Sequence, residues 1–310
     1  MSGITSPDGT PISRFAFGTM QFGGPADAST SAAMLEAAIG AGITHFDTAH
    51  LYTEGRSERL LGQLAASIRK RMIVATKIGY TPNTPPEKLR AEFELSRERL
   101  GMAVIDILYL HRPDAATPLP ARLEVLIALK EAGHIRHIGL SNFPAWQVMQ
   151  ADCLLRAMGH RVDIIQPMYS LVKRQAEVEL LPMCAATGLL AATYSPLGGG
   201  LLTGKYAQGG TGRLSENPRY AARYAPAFMH EAAAGLSAIA ARLSCHPATL
   251  AAAWAAHHPA APMPILSARS VEQLAPALAA IGFTMDADLY AEITALTPTP
   301  PPATDRIEEQ

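Results

Sequence analysis

The chain has 310 residues, of which 48% are hydrophobic and 17% charged, so it can bury a large core and is not typical of a disordered protein. Its 26 basic and 27 acidic residues give a formal net charge of −1, and no basic run is dense enough to follow a nucleic-acid backbone. Nucleic acid is therefore not expected as a partner.

Neither the N-terminal segment nor the cysteines indicate secretion, a membrane or a metal. The first residues lack the basic and apolar regions of a signal peptide, and no apolar stretch is long enough to span a bilayer. We therefore expect a cytoplasmic protein without membrane contact. Cys153, Cys184 and Cys245 are widely spaced and form no paired motif, which favours buried, reduced thiols over disulfides or a zinc site.

Short apolar, β-branched segments along the chain predict eight strands. The first covers residues 15–18, and the other seven end near Phe46, Lys77, His111, Ser141, Gln166, Tyr194 and Leu266. Helical spacing of apolar residues lies between them. Two such faces are formed by Leu60, Leu61, Leu64 and Ile68, and by Trp146, Met149, Cys153, Leu154 and Ala157.

Strand and helix alternate at the spacing of βαβ units, about thirty residues each, and eight such units close an α/β fold, the (β/α)8 TIM barrel. We expect residues 1–296 to form this single domain. Residues 198–223, after the seventh strand, are rich in Gly, Pro and Tyr without a clean period and predict a long loop. Residues 297–310 combine four prolines with charges and predict a loosely ordered tail. A doubly wound fold would normally place G-x-G-x-x-G after its first strand, and none is present there.

Four polar residues follow three neighbouring strands at the end where barrels build their active sites. Asp47 ends the second strand, Tyr52 follows in its loop, and Lys77 and His111 end the third and fourth strands. Each alone has an ordinary structural explanation, as a helix cap, a surface lysine or a core histidine. Together they predict one site at the barrel mouth.

The chemistry of this set suits a tyrosine that donates a proton. The tyrosine pKa is about 10, and a nearby ammonium lowers it by stabilising phenolate. Lys77 can supply that charge, and Asp47 can keep the buried lysine protonated. His111 can hydrogen-bond the substrate oxygen and orient it.

Five sequence blocks connect these residues to a known family. They are Phe46-Asp47-Thr48-Ala49 with Tyr52, Gly55, Ser57, Glu58 and Gly62; Ala75-Thr76-Lys77; Leu110-His111-Arg112-Pro113-Asp114; Gly139-Leu140-Ser141-Asn142-Phe143; and Tyr194-Ser195-Pro196-Leu197. Over nearly its whole length the chain resembles the aldo-keto reductase superfamily. The stretches 166–182 and 199–206 are similar to its aflatoxin-aldehyde reductase branch and to related bacterial reductases.

The resemblance implies NADPH-dependent reduction of an aldehyde or ketone, whether a small carbonyl, a dicarbonyl or a sugar. Tyr52 would donate the proton, Lys77 and Asp47 would adjust the acidity of Tyr52, and His111 would position the carbonyl. The implied cofactor contacts run from the nicotinamide to the adenosine end: Ser141, Asn142 and Gln166 at the carboxamide, Tyr194 beneath the ring, Ser195, Leu197, Gly199 and Lys205 over the pyrophosphate, and Arg269 and Gln273 at the adenosine. No metal is required.

We expect NADPH rather than NADH because the Arg269 guanidinium can form two hydrogen bonds to a 2′-phosphate. Two positions depart from the pattern of relatives: Ser267 stands where glycine is frequent, and Ala277 where an asparagine commonly contacts adenine.

Two other functions are compatible with the sequence. A buried lysine at a strand end can form a Schiff base, as in aldolases, which would make Lys77 a nucleophile. Some relatives of the aldo-keto reductases act instead as non-catalytic, NADPH-binding redox-sensing subunits of channels or regulators. The intact set of four residues argues against this second alternative, and the sequence does not indicate an oligomeric state.

Overall fold

Eight parallel strands close into a barrel in the computed structural model, which describes residues 3–304. They pair in chain order from β1 to β8, and β8 returns to β1. The strands are β1 Ala16–Gly18, β2 His45–Asp47, β3 Ile73–Ile78, β4 Ile105–Leu110, β5 Ile135–Ser141, β6 Ile164–Gln166, β7 Leu190–Thr193 and β8 Met263–Leu266. The (β/α)8 TIM barrel predicted from the sequence is confirmed.

Helices surround this barrel and connect its strands. They are α1 Ala28–Gly40, α2 Arg56–Ala65, α3 Pro86–Leu100, α4 Leu119–Glu131, α5 Ala145–Ala157, α6 Leu180–Thr187, α7 Arg213–Glu216, α8 Pro218–Arg223, α9 Ala227–Arg242, α10 Pro247–His257, α11 Val271–Leu278 and α12 Ala287–Thr294. Short 3-10 segments cover Tyr52–Gly55, Arg69–Arg71, Gln175–Glu177, Gly198–Thr203, Lys205–Gln208 and Ala279–Gly282. None of the helices within residues 3–304 has the length and apolarity of a membrane span.

The strand register brings the polar strand ends to one mouth of the barrel. Asp47 pairs with Ala75, and Lys77 with Tyr109. Side chains alternate between the two faces of a strand, so His45 points to the same side as Asp47, one layer deeper. Gly139 leaves room for the Tyr109 ring, since a methyl group at Gly139 would overlap it. Small and large residues thus fill the interior together.

The buried face of α5 differs from the predicted one. Its buried side chains are Ala145, Val148, Ala151, Asp152 and Leu155, whereas Trp146 is 64% exposed. Asp152 is inside because it accepts hydrogen bonds from the Arg156 side chain and the Val162 amide. A pattern that counts only apolar residues therefore selects the wrong face. Cys153 is also exposed, so the expectation of buried thiols was wrong there; Cys184 is buried, Cys245 is half-buried, and all three are free.

The segment predicted as a long loop after β7 is folded into short helices. The 3-10 segments Gly198–Thr203 and Lys205–Gln208 are followed by α7 and α8, and none exceeds six residues. Two full helices, α9 and α10, then precede β8, which is why this unit is the longest. Of the predicted tail, residues 305–310 lie outside the described residues, and its loose order stays a prediction.

Candidate active site

Lys77 hydrogen-bonds to two of the other three residues that the sequence singles out, Asp47 and Tyr52. Its ammonium donates to Asp47 Oδ1 at 2.5 Å, to the Thr48 carbonyl at 2.7 Å and to the Tyr52 hydroxyl at 3.2 Å. These contacts use all three donors of an ammonium group. The His111 ring stands edge-on to the Tyr52 ring, with the centroids 6.1 Å apart. The barrel therefore brings all four side chains together.

The charge of Lys77 is maintained although the side chain is completely buried. Burial lowers the pKa of a lysine, but the attraction of Asp47 and Tyr52 outweighs that penalty, and the pKa of Lys77 is raised. The expectation that a carboxylate keeps this lysine protonated agrees with this balance.

Tyr52 does not follow the expected direction. Burial raises the pKa of its hydroxyl, the Lys77 charge lowers it, and the Asp47 charge opposes Lys77, so the pKa ends above its usual value of 10.0. The desolvation of a buried phenolate outweighs the nearby ammonium that the sequence indicates. Tyr52 consequently keeps its proton at neutral pH and is a hydrogen-bond donor toward anything bound above it.

His111 is neutral. Burial, followed by the charges of Lys77 and Arg112, lowers its pKa to about 2. A neutral imidazole has one N–H donor and one acceptor, so it can donate a single hydrogen bond to an oxygen in the cavity. Tyr80 packs edge-on against this ring at 5.0 Å, and the Arg112 guanidinium lies 4.9 Å from the Tyr80 ring centroid. Tyr80 was missed in the sequence, although its place in the loop after β3 was an available signal.

Gln166 has a contact that the sequence did not indicate. Its amide nitrogen donates to Asp47 Oδ2 at 2.8 Å, across 119 positions of sequence. Because a carboxylate can only accept, this bond orients the amide with its nitrogen toward Asp47 and leaves the amide oxygen as an acceptor. Gln166 and Lys77 therefore each donate to a different oxygen of the Asp47 carboxylate.

Ser141, Asn142 and Tyr194 form a hydrogen-bonded chain beside the four residues. Asn142 Nδ2 donates to the His111 carbonyl at 2.9 Å and to Ser141 Oγ at 3.1 Å, and Asn142 Oδ1 accepts from the Tyr194 hydroxyl at 2.7 Å. Ser141 Oγ in turn donates to the Gln166 carbonyl at 3.1 Å. Since oxygen acceptors have two lone pairs, Asn142 Oδ1 can still accept from a ligand amide.

One cavity of about 1410 Å³ contains the site and extends along the barrel mouth. Asp47, Tyr52 and His111 line one end, while Lys77 lies behind Tyr52 and does not line it. All ten residues predicted to contact a cofactor line the same cavity: Ser141, Asn142, Gln166, Tyr194, Ser195, Leu197, Gly199, Lys205, Arg269 and Gln273. The cavity is larger than is usual for a drug-sized ligand, about 300–1,000 Å³, and suits a dinucleotide.

The middle and far end of this cavity have features that suit phosphate. Gly199 and Gly200 line this part of the cavity with positive φ angles of 66° and 98°, and because they lack side chains a phosphate can approach the backbone closely there. The amides of Gly198 and Gly200 donate to the Ser195 and Leu197 carbonyls, both at 2.9 Å. Lys205 and Arg269 add cationic side chains. Arg269, however, already forms a forked ion pair with Glu216 of α7, at 3.2 and 2.6 Å. The guanidinium that is expected to bind a 2′-phosphate is therefore already paired with the Glu216 carboxylate.

Residues 3–304 contain no group of three His, Cys, Asp or Glu side chains arranged to hold a metal ion.

Comparison with known proteins supports the resemblance seen in the sequence. Aflatoxin B1 aldehyde reductase member 2 of Rattus norvegicus is 37% identical over 195 residues, which are 61% of this chain and 53% of the relative, about half its length. An uncharacterized oxidoreductase of Bacillus subtilis is 30% identical over 315 residues, covering 94% of each chain. A probable voltage-gated potassium channel subunit beta of Oryza sativa subsp. japonica is 30% identical over 275 residues, 81% of this chain and 82% of the relative. The model of the aldo/keto reductase family matches residues 14–298, and the chain belongs to this family.

Proposed function

We propose that this chain reduces aldehydes or ketones to alcohols with NADPH, and that Tyr52 donates the proton. One observation carries the proposal: a protonated tyrosine hydroxyl lies 3.2 Å from the charged ammonium of Lys77, beside a neutral histidine, at the wall of a large cavity. That arrangement places a proton donor and a second hydrogen-bond donor where a carbonyl oxygen can receive both.

When bound, NADPH supplies a hydride to the carbonyl carbon. The residues of this chain act on the oxygen. His111 donates a hydrogen bond that orients the carbonyl, and the Tyr52 hydroxyl transfers its proton as negative charge develops there. Lys77 stabilises the phenolate that remains, and Asp47, held by Gln166, keeps Lys77 charged.

The residues fit the cofactor at three points along the cavity. Acceptors on Asn142 and Gln166 suit the carboxamide N–H groups, and the Tyr194 ring lines the same wall. Gly199 and Gly200 leave room for the pyrophosphate to approach the backbone. Arg269 suits a 2′-phosphate, which favours NADPH, although Glu216 competes for it.

The raised pKa and complete burial of Lys77 speak against the Schiff-base alternative, because a nucleophilic amine must be deprotonated and reach the substrate. A non-catalytic redox-sensing role is compatible with the channel-subunit relative, but it leaves the arrangement of Tyr52, Lys77 and His111 without a purpose.

The test is NADPH and NADH oxidation across a panel of aldehydes, ketones, dicarbonyls and sugars, with Tyr52→Phe as the diagnostic variant. We expect kcat to fall about 10²–10⁴-fold, the range for loss of a general acid, while the Kd for NADPH is unchanged. Tyr290→Phe on α12, the same change remote from the cavity, should leave kcat unaltered. Tight NADPH binding without turnover on the whole panel would favour the redox-sensing alternative, and trapping of Lys77 by borohydride would favour the Schiff base.

A further inference from the structure

A buried ion pair lies beneath the segment that carries Tyr52. Glu58, in the first turn of α2, is completely buried, and Arg99, in the last turn of α3, has a side chain only 12% exposed. Arg99 Nη1 lies 3.2 Å from Glu58 Oε2. Neither residue is among those that line the cavity. Because burying two charges is costly, such a pair is weak evidence for a purely stabilising role.

Arg99 contacts both sides of the Tyr52–Gly55 turn. Its Nη1 donates to the His50 carbonyl at 2.8 Å, two residues before Tyr52. At the other end, Gly55 has a φ of 84° and packs directly on the guanidinium, so that a methyl group there would overlap it. The turn therefore rests on the guanidinium at its beginning and its end.

This turn needs external support, because two of its residues are conformationally strained. Thr53 and Glu54 have positive φ angles of 46° and 59°, in the left-handed region that residues with a Cβ atom disfavour. A strained segment keeps one conformation when surrounding contacts determine it.

Glu58 connects the same ion pair to the strand that carries Lys77. Its Oε1 accepts a hydrogen bond of 2.6 Å from Thr76 Oγ1, and Thr76 directly precedes Lys77 on β3. The backbone reinforces this link, since the His50 amide donates to the Lys77 carbonyl at 3.0 Å. The pair thus joins the two elements whose side chains meet as Tyr52 and Lys77.

We propose that Arg99, held by Glu58, is a positioning residue that sets the placement of the Tyr52 hydroxyl relative to Lys77 and the carbonyl oxygen. The proposal rests on the proposed function, because it assigns Arg99 a task only if Tyr52 transfers a proton. Arg99 suits this place because Nη1 reaches both the His50 carbonyl and Glu58, while the rest of the guanidinium fills the space against Gly55. A lysine ammonium could make the two polar contacts but has no planar group to fill that space.

The experiment compares Arg99→Met and Arg99→Lys with the unchanged enzyme. Displacing a reacting group by about 1 Å costs on the order of 10²-fold in rate, so we expect kcat to fall about 10–100-fold in Arg99→Met and less in Arg99→Lys. The Kd for NADPH should be unchanged, because the cavity is lined by other residues. The alkaline limb of the kcat–pH profile should shift, since the contact between Tyr52 and Lys77 is altered. Guanidinium ion, but not urea at the same concentration, should restore part of kcat in Arg99→Ala.

Arg97→Met is the matched control. Arg97 lies on the same helix, pairs with Glu94 and donates to the Ala103 carbonyl at 3.0 Å, away from the Tyr52 turn. Arg97→Met should lower the free energy of unfolding without changing kcat or the kcat–pH profile. Equal losses of stability in the two variants, with kcat unchanged in both, would overturn the positioning role.

Two further results separate the possible failures. If Arg99→Met does not fold, Arg99→Lys and Glu58→Gln decide the question, and an unchanged kcat and pH profile in both would overturn the proposal. Full activity in Tyr52→Phe would instead overturn the proposed function itself. Loss of activity in Tyr52→Phe together with an unaffected Arg99→Met would remove only the role of Arg99.

Discussion

An ion pair is found at each end of the cavity, one of them partly behind its wall, and the two pairs differ in how the fold holds them. At the end that holds Tyr52, Asp47 and Lys77 are on neighbouring strands, with side chains 4% and 0% exposed. At the far end, Glu216 and Arg269 come from a short helix and a strand-end loop, with side chains 46% and 34% exposed. The barrel backbone places the first pair, whereas side-chain conformations place the second.

This difference separates what each pair can do. Charges in a buried site interact strongly and cannot rearrange without leaving one partner unpaired. Charges at the surface are screened, and their net interaction is small, so either partner can turn to a ligand. The first pair therefore suits a fixed chemical step, and the second suits exchange with a charged cofactor.

The largest difference should appear when one partner of each pair is removed. Lys77→Met leaves Asp47 buried and uncompensated, so we expect a loss of about 3–5 kcal/mol in the free energy of unfolding, together with loss of activity. Arg269→Leu should cost no more than about 1 kcal/mol. Urea unfolding of both variants measures the contrast. The double variant Lys77→Met/Asp47→Leu should recover much of the stability without recovering activity, and similar costs for the two single variants would contradict the contrast.

A smaller effect concerns His45, one layer below Asp47 in the barrel. Burial lowers its pKa to about 4, with Asp47 opposing and Lys77 adding to the shift. Neither ring nitrogen has a hydrogen-bond partner among the described residues. Because the folded pKa lies below the unfolded value of about 6.5, the unfolded chain binds more protons between these pH values. Stability from this residue is therefore complete above about pH 6.5 and is lost as the pH falls toward 4.

The expected loss from His45 is roughly 3 kcal/mol across that window, since each pKa unit corresponds to about 1.4 kcal/mol. His45→Leu should flatten the decline in unfolding free energy between pH 6.5 and 4 by that amount. Thr193→Val, at a buried residue of β7 without a titratable group, is the control and should leave the slope unchanged. An identical decline in the unchanged protein and in His45→Leu would show that the fold tolerates a charge at this position.

The same contrast explains what the sequence could predict. Buried strands appear as short apolar runs, and parallel strands end on one side of a barrel, so the sequence alone predicts that Asp47, Lys77 and His111 lie at one mouth. Contacts made across the barrel have no such signal. The bond from Gln166 to Asp47 depends on the register of β2 and β6, and the reach of Arg99 to His50 depends on how α3 packs.

The sequence also does not show how burial and neighbouring charges combine at a given side chain. The sequence indicates that Lys77 lies near Tyr52 and lowers the Tyr52 pKa. Burial raises that pKa by more, and the extent of burial depends on the complete fold. On α5, the buried Asp152 was indistinguishable from a surface carboxylate until its partners Arg156 and Val162 were located. Residues 198–223, which include Glu216, show no periodic pattern that would place Glu216 against Arg269.

The smallest expected effect concerns cofactor preference at the far end. Glu216→Gln removes the carboxylate that occupies Arg269, so we expect the Kd for NADPH to tighten by up to about 5-fold, the scale of an exposed ion pair, with less change for NADH. Glu272→Gln is the matched control, because Glu272 lines the same cavity and its loss changes the net charge equally without releasing Arg269. Titration calorimetry at two salt concentrations measures both cofactors, and the gain should shrink at high salt. Equal tightening of NADPH and NADH, or equal gains in both variants, would mean that Glu216 contributes only a general negative charge and that the ion pair does not set the preference.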